Sequence, residues 1–117
     1  MKIKRIVPNI AAQDVAKARR FYGDLLGLDV AMDIGWIVSF EADTPMRPQL
    51  SVAAHGGSGT AVPDFTVEVD DLQEALRRFQ EGEIAIEYGP VTESWGVRRF
   101  YVRDPFGRLL NIMQHIR

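Results

Sequence analysis

Residues 64–70, DFTVEVD, alternate without a break. Phe65, Val67 and Val69 fall on one face, and Asp64, Thr66 and Glu68 on the other. A period of two predicts a half-buried strand. From Asp71 the period changes: Leu72, Ala75, Leu76 and Phe79 recur at helical spacing and predict a helix that Asp71 opens. EIAIEYG (83–89), RRFYVRD (98–104) and RLLNIM (108–113) predict three more strands. The first half has the same order. KIKRIVPNIAA (2–12) reads as a strand, with Pro8 marking an edge, a bulge or a point of strand exchange. Asp14 reads as a helix start, Val15, Ala18, Tyr22, Leu25 and Leu26 as its apolar face, and Gly27 as its stop. LDVAMDI (28–34), WIVSFEA (36–42) and QLSVAAH (49–55) are three short strands.

Asp14 and Asp71 stand 57 positions apart, and Val15/Leu72, Ala18/Ala75 and Tyr22/Phe79 match at the same offset. This predicts an internal duplication and an α+β fold of two βαβββ modules in one domain, 1–117. The first module spans 1–54 and the second 64–117. HGGSGTAVP (55–63), rich in Gly and Ser, is the linker. Each half-sheet has one face under its own helix. Two curled half-sheets would form an incomplete barrel with a cleft, a common place for a ligand.

The pattern breaks at one residue. DPFG (104–107) reads as a tight turn, and the strand after it carries Asn111 among Leu109, Leu110, Ile112 and Met113. Leu110 and Ile112 would pack under the helices, and Asn111 would face the cleft with Leu109 and Met113. Asn111 then hydrogen-bonds a ligand or pairs with Asp64; both readings stand.

Composition narrows the chemistry. The chain has 117 residues, 46% hydrophobic and 26% charged, an ordinary globular balance. Cysteine is absent, so disulfides, thiolate metal sites and cysteine nucleophiles are excluded. A net charge of −2 and a pI near 5.6 argue against nucleic acid. No apolar run suits a signal peptide or a membrane span, so the expectation is a cytoplasmic protein without a membrane partner. Ser51, Ser58 and Ser94 stand in no nucleophile motif, and GGSG lacks the Lys-Ser/Thr of a phosphate loop. His55 borders the linker and reads as a surface loop residue or a general base. His115 reads as a tail residue. Arg98, Arg99 and Arg103 read either as a clamp for an anion or as a solvated strand face paired with Glu68, Glu87 or Glu93.

IVPNIAAQDVAKARRFYGDLLGLDV (6–30) resembles the first module of the vicinal oxygen chelate superfamily. The features are Asp14 before the helix, the Phe21-Tyr22 pair and the LLGL segment. WGVRRFYVRDPFGRLLNIM (95–113) resembles the end of the second module. That superfamily holds glyoxalases, extradiol dioxygenases and bleomycin-resistance proteins. The chain looks most like the bleomycin-resistance branch and its glyoxalase-like relatives. The resemblance implies four metal-ligand positions, falling at about Val7, near Leu50 or Val52, on Asp64 and on Asn111. One carboxylate and one carboxamide make a poor divalent site, so the expectation is no metal and no other cofactor. The resemblance also implies aromatic stacking on a planar ligand by Trp36 and Trp95, against ordinary packing of both, and a homodimer. The leading expectation is a metal-independent binding protein that sequesters a small, partly aromatic molecule. Trp36 and Trp95 would stack on it, and Asp64, Glu68 and Asn111 would anchor it. The mild net charge argues against bleomycin itself. The alternatives are a lyase or dioxygenase-type enzyme with a displaced metal site at His55, Asp64 or Glu68, and a stand-alone interaction module.

Overall fold

The computed structural model describes residues 1–116. The strands are β1 (Ile3–Ala11), β2 (Asp29–Asp33), β3 (Ile37–Glu41), β4 (Gln49–Ala53), β5 (Phe65–Val69), β6 (Tyr88–Glu93), β7 (Val97–Arg103) and β8 (Leu109–His115). The first helix is one α-turn, α1 (Ala16–Ala18), that runs on as a π-helical stretch, Arg19–Leu25; the second is α2 (Leu72–Glu81). The fold is α+β, with two βαβββ modules. No helix among the described residues is long and apolar enough to cross a membrane.

The chain forms two compact units. One is Val7–Val62; the other joins Met1–Ile6 to the chain from Pro63 on. In the first, the strand order is β2-β3-β4-β1, with β1 and β4 parallel. In the second it is β1-β5-β8-β7-β6, with β5 and β8 parallel. The opening residues of β1 therefore group with the second module. Lys2 N–H donates to Asp70 Oδ1 at 2.6 Å, and Arg5 Nε to Glu68 Oε1 at 2.5 Å, which holds them there.

Core formation follows the alternation. Val67, Val69, Phe100, Val102 and Ile112 pack against Leu72, Ala75 and Leu76 of α2, with Leu110 beside them. In the other unit Val38, Phe40 and Val52 pack against Val15 and Ala18, with Tyr22, Leu28 and Leu50 beside them. Asp71 caps α2, its Oδ1 accepting from Glu74 N–H at 3.1 Å.

Three local expectations are corrected. The first helix has Val15, not Asp14, at its N-cap and no side-chain cap. Its Leu25 and Leu26 are exposed, not buried. Their spacing suits 3.6 residues per turn, but Leu26 N–H bonds Phe21 O, five residues back, and this wider winding turns them off the core. EIAIEYG is mostly not a strand. Glu83 takes a positive φ and Ile84 N–H returns to Phe79 O, so the segment closes α2 and β6 starts only at Tyr88.

The Gly-rich stretch is an ordered loop. Gly56 N–H bonds Thr60 O at 2.8 Å, and Thr60 Oγ1 donates to Gly57 O at 2.7 Å. A Cβ on Gly56 would lie 2.0 Å from Ala61 O, so only glycine fits there.

Candidate functional site

Strand register puts a polar face on the second unit, opposite α2. Tyr101 and Thr66 flank Asn111 on the two neighbouring strands, while Arg99 and Glu68 flank Met113. The residues between them, Phe100, Ile112 and Val67, belong to the core under α2. A pleated strand sends alternate side chains to opposite faces, so Thr66, Glu68, Arg99, Tyr101, Asn111 and Met113 share one face.

Asn111 is 8% exposed. Its Nδ2 donates to Thr66 Oγ1 at 3.3 Å, and its Oδ1 is buried without a hydrogen-bond partner among the described residues. A buried carbonyl oxygen left unmet costs about 1–3 kcal/mol. Asn111 does not pair with Asp64, whose Oδ2 accepts from Leu109 N–H at 2.8 Å.

Next to it lies a buried charge cluster. Arg99 donates from Nε to Glu93 Oε2 at 2.7 Å and from Nη1 to Tyr101 Oη at 2.7 Å. Tyr88 Oη donates to the same Glu93 oxygen at 2.9 Å. The guanidinium carbon sits 4.9 Å from the ring centres of Trp95 and Tyr101 and 5.3 Å from that of Tyr88. Arg99 is thus paired with Glu93, but in the interior rather than on a solvated face. Arg103 Nε takes Glu87 at 2.6 Å and Arg98 Nη1 takes Thr92 at 3.2 Å, both exposed. The short DPFG turn is the signal that could have found Tyr101. Asp104 Oδ1 accepts from Phe106 and Arg108 N–H, which sets Arg103 opposite Leu109 and hence Tyr101 opposite Asn111.

Glu68 is 7% exposed. It accepts from Arg5 Nε at 2.5 Å, faces His115 Nδ1 at 2.9 Å and has Lys4 Nζ at 3.8 Å. Burial pushes its carboxyl up, but the hydrogen bonds from His115 and Arg5 prevail and hold it below the usual carboxylate range. His115 is therefore part of β8 and of this cluster rather than a tail residue. A groove of about 180 Å³ runs beside it, lined by Lys4, Glu68, Val69, Asp70, Gln114 and His115.

The two tryptophans belong to different units. Trp36 stacks on His55 at 4.9 Å and 16°, and His55 Nδ1 accepts from Gly57 N–H at 3.0 Å, in the half-buried Gly-rich loop. Trp95 packs on Arg99.

The metal-ligand positions do not fit a divalent ion. Val7 is buried and aliphatic, and Leu50 and Val52 face the helix side. Ser51, which points the other way, is bonded to Ser39 Oγ at 2.8 Å. Asp64 and Asn111 complete the set. One carboxylate, already holding a backbone N–H, is too few charged donors. Among the described residues no group of three or more His, Asp or Glu is arranged to hold a metal.

Comparison with known proteins agrees with this architecture. The model of the glyoxalase-like domain matches residues 5–117. The structure of NAD-dependent benzaldehyde dehydrogenase from Legionella pneumophila superposes with a TM-score of 0.76 at 19% identity, over 95% of this chain and 99% of that one. A glyoxalase/bleomycin resistance protein/dioxygenase superfamily member from Vibrio splendidus 12B01 gives 0.66 at 20%, over 98% and 100%. Methylmalonyl-CoA epimerase from Mycobacterium tuberculosis gives 0.66 at 18%, over 98% and 88%. At these identities the likeness is one of fold. A search of curated proteins finds no match. Duplicated βαβββ modules, the parallel β1–β4 and β5–β8 pairs and the family match over residues 5–117 together place this chain in the glyoxalase-like family of the vicinal oxygen chelate superfamily.

Proposed function

We propose that this protein binds a small, partly aromatic molecule without a metal, on the polar face of its second unit, and acts in the cytoplasm by sequestering that molecule. The observation that carries the reading is Asn111 Oδ1, a buried acceptor with no partner among the described residues. A fold tolerates such a group most readily where a ligand completes it. Tyr101 stands opposite Asn111, and Trp95 packs on the Arg99 that also lies over Tyr101, so both would give this face aromatic surface held rigid by Arg99. Asp64 and Glu68, expected as anchors, act on this reading as supports, since each holds a protein donor already. Trp36 lies with His55 in the other unit and is left out of this contact set. An antibiotic or a secondary metabolite remains the proposed cargo. A homodimer remains part of the proposal, with exposed Phe21, Leu25 and Leu26 as apolar surface for a second copy to cover.

The test has two steps. Metal content is measured by elemental mass spectrometry on protein purified without a metal-affinity tag. A thermal-shift screen of planar antibiotics and metabolites follows. The expected result is substoichiometric metal and a stabilising ligand whose effect disappears in Asn111→Leu, while the unliganded variant melts no lower than the wild type. Near-stoichiometric zinc, nickel, iron or manganese would overturn the reading and favour the enzymatic alternative.

A further inference from the structure

We infer that the ligand enters with an uncharged end that donates a hydrogen bond, carried on a planar group: a phenol or a carboxamide, not a carboxylate and not an ammonium ion. The inference rests on the binding role proposed for Asn111 and adds the chemistry of what binds.

The unmet atom sets the first half. Asn111 Oδ1 is an acceptor, and its Nδ2 is turned to Thr66 Oγ1. A group that completes it must bring an N–H or O–H.

Charge sets the second half. The buried ionic groups on this face are already matched to each other. Arg99 gives Nε and Nη2 to Glu93 Oε2, at 2.7 and 2.6 Å, and both side chains are within a few per cent of full burial. Arg99 Nη1 is on Tyr101 Oη. Glu68 is held by Arg5 and His115, and Asp64 by Leu109 N–H. An anion arriving beside Asn111 finds a guanidinium whose charge Glu93 already cancels. It also finds Asn111 presenting an oxygen, which repels it. A cation would find one face of each ring already taken by a positive charge, because Arg99 lies over Tyr88, Trp95 and Tyr101. A net charge would then lose its hydration with no unmatched buried counter-charge among the described residues to replace it. A neutral donor meets only what is missing.

Planarity follows from the setting. Tyr101 stands opposite Asn111 on β7, and its ring is fixed by the guanidinium stacked on it and by the tilted Tyr88 ring 5.2 Å away. Flat groups gain most from a rigid aromatic wall.

Benzamide, phenol, benzoate and benzylammonium, with toluene as the apolar control, are titrated into ¹⁵N-labelled protein. The readout is the Asn111 side-chain amide and the Trp95 indole N–H signals. Benzamide and phenol should move both signals saturably and bind about tenfold or more tighter than benzoate and benzylammonium. Asn111→Leu should bring benzamide down to the level of toluene. Asn111→Asp, which keeps the size and adds a charge, should turn the preference to benzylammonium. If benzoate or benzylammonium binds wild type within tenfold of benzamide at the same signals, the charge inference fails while the binding site stands. If no probe moves either signal, the binding role itself fails and takes the inference with it.

Discussion

Arg99 and Glu93 form an ion pair closed off from water, with Nη2 to Oε2 at 2.6 Å and side chains only 3% and 5% exposed. Such a pair gains little over an apolar pair of similar volume, but half of it is costly to keep. Glu93→Gln and Arg99→Met singly should each lower unfolding free energy by about 3–5 kcal/mol. The double variant Arg99→Met/Glu93→Leu should recover most of that loss. Urea denaturation of all three is the check, and additive losses in the double variant would contradict the pairing.

Gly89 stands where β6 shifts register against β7, at φ +78°. A Cβ there would lie 2.5 Å from Arg99 O and 3.0 Å from Val91 N. Gly96, at φ +92°, has open space around the same position. Gly96→Ala should therefore cost only the backbone term, about 1 kcal/mol. Gly89→Ala should cost clearly more and should alter the near-ultraviolet circular dichroism of Tyr88 and Trp95, because the clash falls on the backbone that carries Arg99. Equal urea midpoints for the two variants would count against this account.

Asp71 caps α2, whereas Asp14, its counterpart in the repeat, caps nothing. Asp71→Ala should destabilise by about 1 kcal/mol. Asp14→Ala should stay within about 0.5 kcal/mol of wild type. Chemical denaturation of the two variants side by side decides it, and a comparable loss for Asp14→Ala would mean that both repeats are capped alike.

Acid should loosen the second unit in part through Glu68. Its folded carboxyl titrates below the ordinary 4.5, so the folded state binds fewer protons than the unfolded chain as pH falls past that value. The stabilisation is complete above pH 4.5 and is lost as pH drops through the lower folded value. Glu74, lowered to about 2 by its bonds from Arg77 and Arg78, extends the same slope downwards; being on the surface, it should fade with added salt. Measured stability between pH 6 and pH 2 should fall less steeply in Glu68→Gln than in wild type. A parallel slope would show that Arg5 and His115 do not hold Glu68 as described.

Much of the fold was legible in the chain because the physics behind it is local. Alternation in DFTVEVD put Val67 and Val69 under α2, and helical spacing put Leu72, Ala75 and Leu76 on them. The offset of 57 between Asp14 and Asp71 announced the duplication. Local spacing failed where backbone hydrogen bonds changed the winding: Leu25 and Leu26 left the core when the first helix became π-helical. It failed again where a helix end consumed a strand-like sequence, in EIAIEYG.

The candidate site was half legible. Asn111 stood out as a polar residue in an apolar strand, and that alone drew attention to it. Its missing partner, the caged Arg99 and the bond from Arg5 to Glu68 did not stand out. Arg5 and Glu68 are 63 positions apart, and Arg99, Glu93 and Tyr88 meet only through the β6–β7 bulge. The sequence by itself determined which residues are apolar, how often they recur and therefore which elements form and how they repeat. Only the tertiary structure decided which buried charges neutralise one another and which acceptor is left over. That outcome depends on strand register and neighbour choice, and a slip of one residue would have turned every one of these side chains to the opposite face.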